Sequence, residues 1–465
     1  MHLITALRLH DSPKLALIGA GGKSTAMFRL AKEMLESRRQ KNQISTVILF
    51  SIFRLLPEHA CLADLHIAGI DESDILPLFR DLPTGIIALT GATDDHDLTT
   101  YQNTEFINHI HSLTEKFRLP LFLELDRSNQ RSLKAPDVNE PIIPDWVDHT
   151  VVFAGLNALG KPITTDWVYK PEIIADITNQ QIGSAVTEST ISTILNYFKN
   201  SSTSAHDKSP RICILNQADN EPLLEASKHI SKSIISSYGA VITASLLPDL
   251  KSSFLQPHKS EVKYVHEGTA GVILAAGSAV RMGALKQTLP INGVPAIKLV
   301  ASTAIKAGLS PVIVVTGAEN KSVEQHIQDM NVQKVFNPDW KDGMSTSIKT
   351  AIRMLPPETG SAVFMLSDQP LISELLIKGL VETSAKTLAP IIAPYSGEVR
   401  GNPVLFDRTT FKDLTEITGD VGGRAIFSKY PIRKIRWNDH SSFFDMDTPE
   451  DYEKIKSFYS KQNKL

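Results

Sequence analysis

The residues able to do chemistry in this chain gather where glycine-rich turns meet charged side chains. The densest case is residues 271–297, GVILAAGSAVRMGALKQTLPINGVPAI. An apolar run ending at Leu274 passes into Ala275, Ala276 and Gly277, then into Arg281, Met282, Gly283 and Lys286. Small side chains let main-chain amides approach a triphosphate and its base closely. Arg281 and Lys286 bring positive charge to phosphates whose P–O bond is to break. Alone, the same loop fits an ordinary strand-to-helix turn with two solvated cations. Two acidic segments add to it. FMLSDQPLIS (residues 364–373) reads as a buried strand ending at Asp368, on the edge where open α/β sheets bind ligands. FFDMDTPEDY (443–452) sets Asp445 and Asp447 on alternate residues before a helix start at Thr448 and Pro449. Asp368 with one of that pair would hold Mg²⁺, a hard ion taking oxygen ligands and substrate phosphates. The competing role for Asp447 or Thr448 is a helix cap.

A second phosphate-type turn lies near the N-terminus. LALIGAGGKSTAMFRLAKEM (15–34) sets Gly19, Gly21 and Gly22 between a strand and a helix opened by Lys23 and Ser24. Helix-end amides, a lysine for phosphates and a hydroxyl for Mg²⁺ would cradle ATP or GTP. A strict Walker pattern has glycine where this chain has Leu17, so a plain tight turn is the competing reading. Downstream, LFLELD carries Glu124 and Asp126 on one face at period two, with Asp126 a candidate metal ligand. A Pro- and Gly-dense stretch follows, including Lys134, Pro136, Pro141, Gly155 and Gly160, and reads as a shaped binding loop. ILNQAD (214–219) is similar to a guanine-reading N-K-x-D with Gln217 at the lysine position; a strand end with a helix cap competes.

The elements that must position these residues alternate. Strand-like runs at 15–18, 46–50, 85–89 and 121–125 alternate with helical stretches at 24–38 and 104–117, which predicts βαβ units and parallel sheets. The alternation restarts after residue 268, with strands at 271–274, 311–315, 362–366 and 390–393. The polar, Ser-rich 199–210 reads as a surface loop and 250–268 as the inter-domain segment. The expected fold is α/β with two domains: a P-loop-like parallel-sheet domain over 1–262 and a Rossmann-like domain over 268–465. Lys and Arg number 48 against 51 Asp and Glu, so the net charge of −3 argues against bulk nucleic acid or an anionic membrane as partner. Two cysteines exclude a disulfide framework or a cysteine-built metal site. No apolar run approaches the ~18 residues of a membrane span and no signal peptide is evident, so a cytoplasmic location is expected. The 14 histidines are scattered and form no constellation.

Taken in order, LAAG…RMG..K, NPDWKDGMSTSI, SDQP, RGNPVLF, GDVGGR and DMDTPED resemble the MobA/MocA-type nucleotidyltransferases of molybdenum-cofactor maturation across the whole second half. The resemblance implies transfer of a nucleoside monophosphate from an NTP to a phosphate oxygen, with release of pyrophosphate. It assigns Arg281 and Lys286 to the phosphates, and Asp368 with Asp445 or Asp447 to Mg²⁺. It places Asn337, Met344 and Ser345 on the nucleotide and acceptor cleft, and Gly401, Asn402, Pro403, Gly422 and Arg424 toward the acceptor. LAAG resembles the cytidylyltransferases and LAGG the guanylyltransferases, so Ala276 points to CTP; one methyl discriminates by only ~1–3 kcal/mol. Ala279, the Ser367 of SDQP and Asn402 depart from the family pattern without removing a proposed charge or ligand.

In the first half, GAGGKS, E.D.S….LKAP…EP.IP and G…..G.P resemble the YqeC-like accessory proteins of selenium-dependent molybdenum hydroxylases. Here Arg127 replaces the glycine of a DGS turn, and VILFSIF replaces a Thr-rich segment, which suggests weakened or altered nucleotide chemistry, in which binding could survive where hydrolysis does not. The combined expectation is a molybdenum cofactor cytidylyltransferase acting on CTP and molybdopterin, fused to a nucleotide-binding accessory domain. An apo molybdenum hydroxylase is the expected protein partner. The alternatives are GTP as donor, another phosphate acceptor, or a non-catalytic cofactor chaperone.

Overall fold

Runs such as KLALIG and TVILFS show no polar alternation because both faces of their sheet are covered. All six residues of each are buried. The computed structural model describes residues 1–70, 72–91, 104–136, 142–200, 210–246, 261–278 and 285–462. Arg281, Met282, Gly283 and Ala279 lie outside the described residues, as do 201–209 of the Ser-rich loop and 250–260 of the expected inter-domain segment. The chain divides into two compact units, Met1–His266 and Glu267–Leu465.

The first unit holds a nine-stranded sheet. Its strands are β1 (Lys14–Gly19), β2 (Thr46–Ser51), β3 (Leu65–Ala68), β4 (Gly85–Thr90), β5 (Leu121–Glu124), β6 (His149–Gly155), β7 (Arg211–Asn216), β8 (Ala240–Ser245) and β9 (Glu261–Glu267). Their spatial order is β9-β8-β7-β6-β1-β5-β2-β4-β3. Every pairing from β8 to β3 is parallel, as the alternation of strand and helix predicts. The C-terminal ends of β1, β5 and β2 therefore share one edge. Helix α1 (Lys23–Gln40) leaves β1 through the glycine turn and ends on Arg38 and Arg39, cations suited to a helix C-terminus. Arg38 is buried and donates to the carbonyls of Asp11, Ile44 and Arg118, fastening that end to three loops.

The second unit is built on β10 (Thr269–Ala275), β11 (Val312–Thr316), β12 (Gln333–Phe336), β13 (Ser361–Leu366), β14 (Ile391–Ser396), β15 (Val399–Arg400), β16 (Val404–Asp407) and β17 (Ile432–Arg436). The order is β12-β11-β10-β13-β16-β14-β15, with β17 beside β14. Strands β12 to β13 run parallel, but β16 is antiparallel to both β13 and β14. The sheet is thus mixed where alternation alone predicts a parallel one. Only residues 397–403 separate β14 from β16, too few for a parallel crossover. Along β10, Ala270 and Val272 enter one hydrophobic cluster, and Ile273 and Ala275 enter another on the opposite face. Burial on both faces fixes the register, so the end of β10 is held against the end of β13, Leu274 opposite Leu366.

Candidate active site

That pairing carries two sequence-distant segments to one place. Residues 276–278 leave β10 where Ser367 and Asp368 leave β13, and the Ser367 amide donates to the Leu274 carbonyl at 3.3 Å. The third segment is stitched on by its main chain: the Met446 amide donates to the Asp368 carbonyl at 3.0 Å, with Met446 fully buried between Asp445 and Asp447. Thr448 and Asp451 exchange capping bonds that start helix α6, Pro449–Gln462, so Thr448 takes the cap and Asp447 does not. In chain order, α2 is Thr104–Lys116, α3 Ala296–Lys306, α4 Met344–Arg353 and α5 Glu374–Thr387.

The carboxylates sort themselves by partner. Asp447 pairs with Lys286. Asp445 accepts from Gln369 Nε2 at 2.7 Å. Asp368 is pushed up to about 6, chiefly by burial and then by the charge of Asp445, with Lys286 opposing. The Asp445 carboxyl is also raised, first by desolvation, while its bond from Gln369 works the other way. Among the described residues, no three His, Cys, Asp or Glu side chains are placed to hold a metal unaided. Two mutually repelling carboxylates, Asp368 and Asp445, fit a hard cation whose other ligands come from phosphates and water. Of the expected metal ligands Asp368, Asp445 and Asp447, the last is paired with Lys286.

The cleft has two lobes that share Leu274, Met344 and Leu366. The first, of about 230 Å³, is lined by Ala276, Gly277, Lys286, Gln287, Trp340 and Asp368. Gln287 is a residue that motif reading passed over. It is 5% exposed, and its amide reaches the carbonyls of Ala275 and Gly277 at 3.4 and 3.3 Å, fixing the turn from within. A glutamine directly after the expected phosphate lysine was the available signal. The second lobe, of about 280 Å³, is lined by Asn402, Gly422, Arg424 and Phe406, and by Arg400, whose guanidinium lies 4.9 Å over the Phe427 ring. Burial lowers the pKa of Arg400, and neighbouring Arg424 adds to this against an opposing effect of Tyr395. A guanidinium on an aromatic ring, with a second guanidinium, Arg424, on the same wall, has the chemistry to seat a flat anionic molecule.

Four expected contact residues lie behind this wall. Asn337 is fully buried and donates to the hydroxyls of Thr346 and Ser347 at 2.8 and 3.0 Å. Ser345 is 1% exposed, its amide bonded to the Gly419 carbonyl. Gly401 packs under the Phe443 ring, and Pro403 is also buried. These residues shape the cleft rather than line it, because the motifs that contain them are structural crossings. At Gly343, φ is +102° and an added Cβ would lie 2.6 Å from the Asp420 main chain. Only glycine lets the 337–348 segment pass so close to the 419–424 loop, and the Met344 amide then bonds Asp420.

The first unit's glycine turn is built as expected but wired differently. Gly21 has φ +95°, and a Cβ there would meet the Gly155 amide at 2.4 Å. Lys23 does not reach out: it is 3% exposed, donates to the Gly19 carbonyl at 2.6 Å and lies 3.1 Å from Asp126. Asp126 is also 3.1 Å from Lys134 and accepts the Gly19 amide at 2.8 Å. Ser24 donates to Glu124, whose pKa is raised by burial. Asn216 of the N-K-x-D-like segment is buried, donating to the Gly21 carbonyl and accepting from the Leu246 amide, so it braces the turn.

Comparison with known proteins agrees with this division. Residues 271–435 match the family model of the MobA-like NTP transferase domain, and residues 15–172 match that of the YqeC protein. The chain is 27% identical over 197 residues to the purine catabolism protein PucB of Bacillus subtilis (strain 168), covering 40% of this chain and 95% of that protein. It is 24% identical over 193 residues to the molybdenum cofactor cytidylyltransferase of Escherichia coli (strain K12), covering 41% and 96%. Among solved structures it is similar to a nucleotidyl transferase from Methanothermobacter thermautotroptrophicus, at 20% identity and TM-score 0.39, covering 42% of this chain and all of that one. No helix of the described residues is long and apolar enough to cross a membrane.

Proposed function

We propose that this chain, a nucleotidyltransferase whose second unit is MobA-like and whose first unit carries a YqeC domain, moves CMP from CTP to molybdopterin. The observation that carries this reading is the two-lobed cleft. One lobe joins a small-residue turn to Lys286 and Asp368; the other offers Arg400, Arg424 and aromatic rings. A triphosphate suits the first and a flat heterocyclic phosphate the second.

In the reaction, a phosphate oxygen of the acceptor attacks the α-phosphorus of CTP. A new P–O bond forms as the bond to pyrophosphate breaks. The attacking oxygen is already ionised near neutral pH, so no strong general base is required. Rate then comes from alignment and from charge neutralisation by Lys286 and by Arg281, five residues earlier in the sequence. Asp368 and Asp445 would hold Mg²⁺, which supplies further neutralisation of the phosphates. Asp447 holds Lys286 in place, and Gln287 holds the turn that the phosphates approach. Ala276 lines the nucleotide lobe and carries the preference for a pyrimidine. The first unit serves as a nucleotide-binding accessory part in maturing a molybdenum hydroxylase, in the cytoplasm.

The test is label transfer. The full chain is incubated with Mg²⁺, molybdopterin with or without molybdenum, and each α-labelled NTP in turn. CMP on the pterin is the expected result. GMP transfer keeps the reaction and removes the argument from Ala276. Failure of a folded, NTP-binding chain to label the pterin, with label passing to another phosphate acceptor, overturns the choice of acceptor. If Asp368→Ala leaves cofactor delivery to an apo-hydroxylase intact and no label transfers in the parent, the chain is a chaperone.

A further inference from the structure

We propose that the cavity above the first unit's glycine turn binds the phosphate groups of its ligand through main-chain amides and arginines, independently of divalent metal and without hydrolysis. This rests on the nucleotide-binding reading of the first unit and specifies how that site works.

The cavity measures about 420 Å³ and sits at the shared edge of β1, β5 and β2. Its floor is the turn from Gly21 to Thr25, where the first-turn amides of α1 have no partner within the helix. The residues that a metal-dependent NTPase would turn toward the ligand are engaged with one another. Lys23 and Lys134 both sit on Asp126, and the Ser24 hydroxyl sits on Glu124. The buried lysines and carboxylates of this layer are thus turned toward one another. Positive charge enters from elsewhere. Arg54 follows β2, and Arg127 and Arg131 follow β5; all three line the cavity, against the single rim carboxylate of Glu58. Arg127 is steadied over the Phe53 ring at 5.7 Å. Arginine is suited to this task because its planar fork binds phosphate oxygens bidentately.

Two further atoms point to a ligand. His59 lines the cavity and is 8% exposed; Nε2 contacts the Thr25 hydroxyl at 3.3 Å, yet Nδ1 has no hydrogen-bond partner among the described residues. Gln217, also on the wall, has a buried Oε1 in the same condition. Buried polar atoms left without partners are costly, and a bound polar molecule would satisfy them.

The experiment is calorimetric titration of the full chain carrying Arg281→Ala and Lys286→Ala, which removes both expected phosphate cations of the second unit. Inorganic pyrophosphate and ATP are the probes, each with Mg²⁺ and with EDTA. Binding that survives EDTA, falls about tenfold or more in an added Arg54→Gln/Arg131→Gln pair, and yields no released phosphate from ATP is the expected result. Both arginines are at the cavity rim, and an unchanged melting curve verifies the fold of the variant. Equal affinity for the two probes identifies the phosphates as the recognised group; tighter ATP binding adds the nucleoside. Binding that needs Mg²⁺, or that ignores the arginine substitutions, overturns this proposal and leaves the nucleotide-binding reading standing. Absence of ATP binding under every condition removes that reading as well.

Discussion

Both units place a lysine after a small-residue turn at the end of a strand, yet the two lysines do opposite things. Lys23 is sealed at 3% exposure between Asp126, Glu124 and the Gly19 carbonyl. Lys286 lines an open cavity and leans on Asp447, whose side chain is 49% exposed. The lesson is that a motif specifies the charge, while burial of its partner decides whether that charge serves the fold or the ligand. An ion pair in the interior resists separation far more than one at the surface.

The comparison breaks most sharply at the acids. Asp126→Ala strands two buried lysines and should cost the first unit about 3–5 kcal/mol. Asp447→Ala exposes Lys286 to water and should cost the second unit about 0–1 kcal/mol. Urea unfolding of both variants checks this, and similar losses would erase the distinction. Next comes the cation itself. Lys286→Ala should lower kcat for nucleotidyl transfer by about 10²–10³-fold with little change in stability, whereas Lys23→Met should change stability and leave transfer intact. Single-turnover label transfer beside a thermal melt separates the two.

Asp368 sharpens the picture with pH. Its folded value of about 6 stands above its ordinary value of 3.8, so ionising it opposes folding. That penalty is absent well below 3.8, grows as pH rises and is complete above about 6. Asp368→Asn should therefore stabilise metal-free protein above pH 6, with the gain shrinking as pH falls toward 3.8. Denaturation in EDTA across this range measures it, and a gain independent of pH would contradict the assignment. The smallest effect is expected at Ala276. Removing one methyl with Ala276→Gly should move the CTP-to-GTP ratio of kcat/KM by about tenfold toward GTP. An unchanged ratio would transfer base selection to other groups on the lobe.

Much of the architecture is legible in the residues. Strands covered on both faces appear as unbroken apolar runs, and the glycine turns mark their ends, so Asp368 and the turn after Leu274 can be placed on one sheet edge by reading alone. The reversal of β16 is legible only through the short stretch at 397–403, which forbids a crossover. The role of Asn337 is not legible. Its motif looks like a ligand contact, but its amide is spent on Thr346 and Ser347 inside the wall. Gln287, just after a motif lysine, and Arg400, at the head of RGNPVLF, failed to announce themselves because a glutamine or an arginine there is ordinary in sequence and becomes special only through the carbonyls or the ring it meets.

What the sequence determined by itself is the inventory and its order: two glycine turns after apolar strands, their lysines, and acids set to reach the same sheet edges. Local sterics and hydrophobic periodicity act over a few residues and are written in the chain directly. What only tertiary structure decided is which acid meets which lysine. Asp126 and Asp447 are both aspartates far along the chain from their partners, and nothing in residue type tells them apart. Packing buried one pair and left the other in a cleft, and the free energy of a charge depends on that surrounding medium more than on its identity.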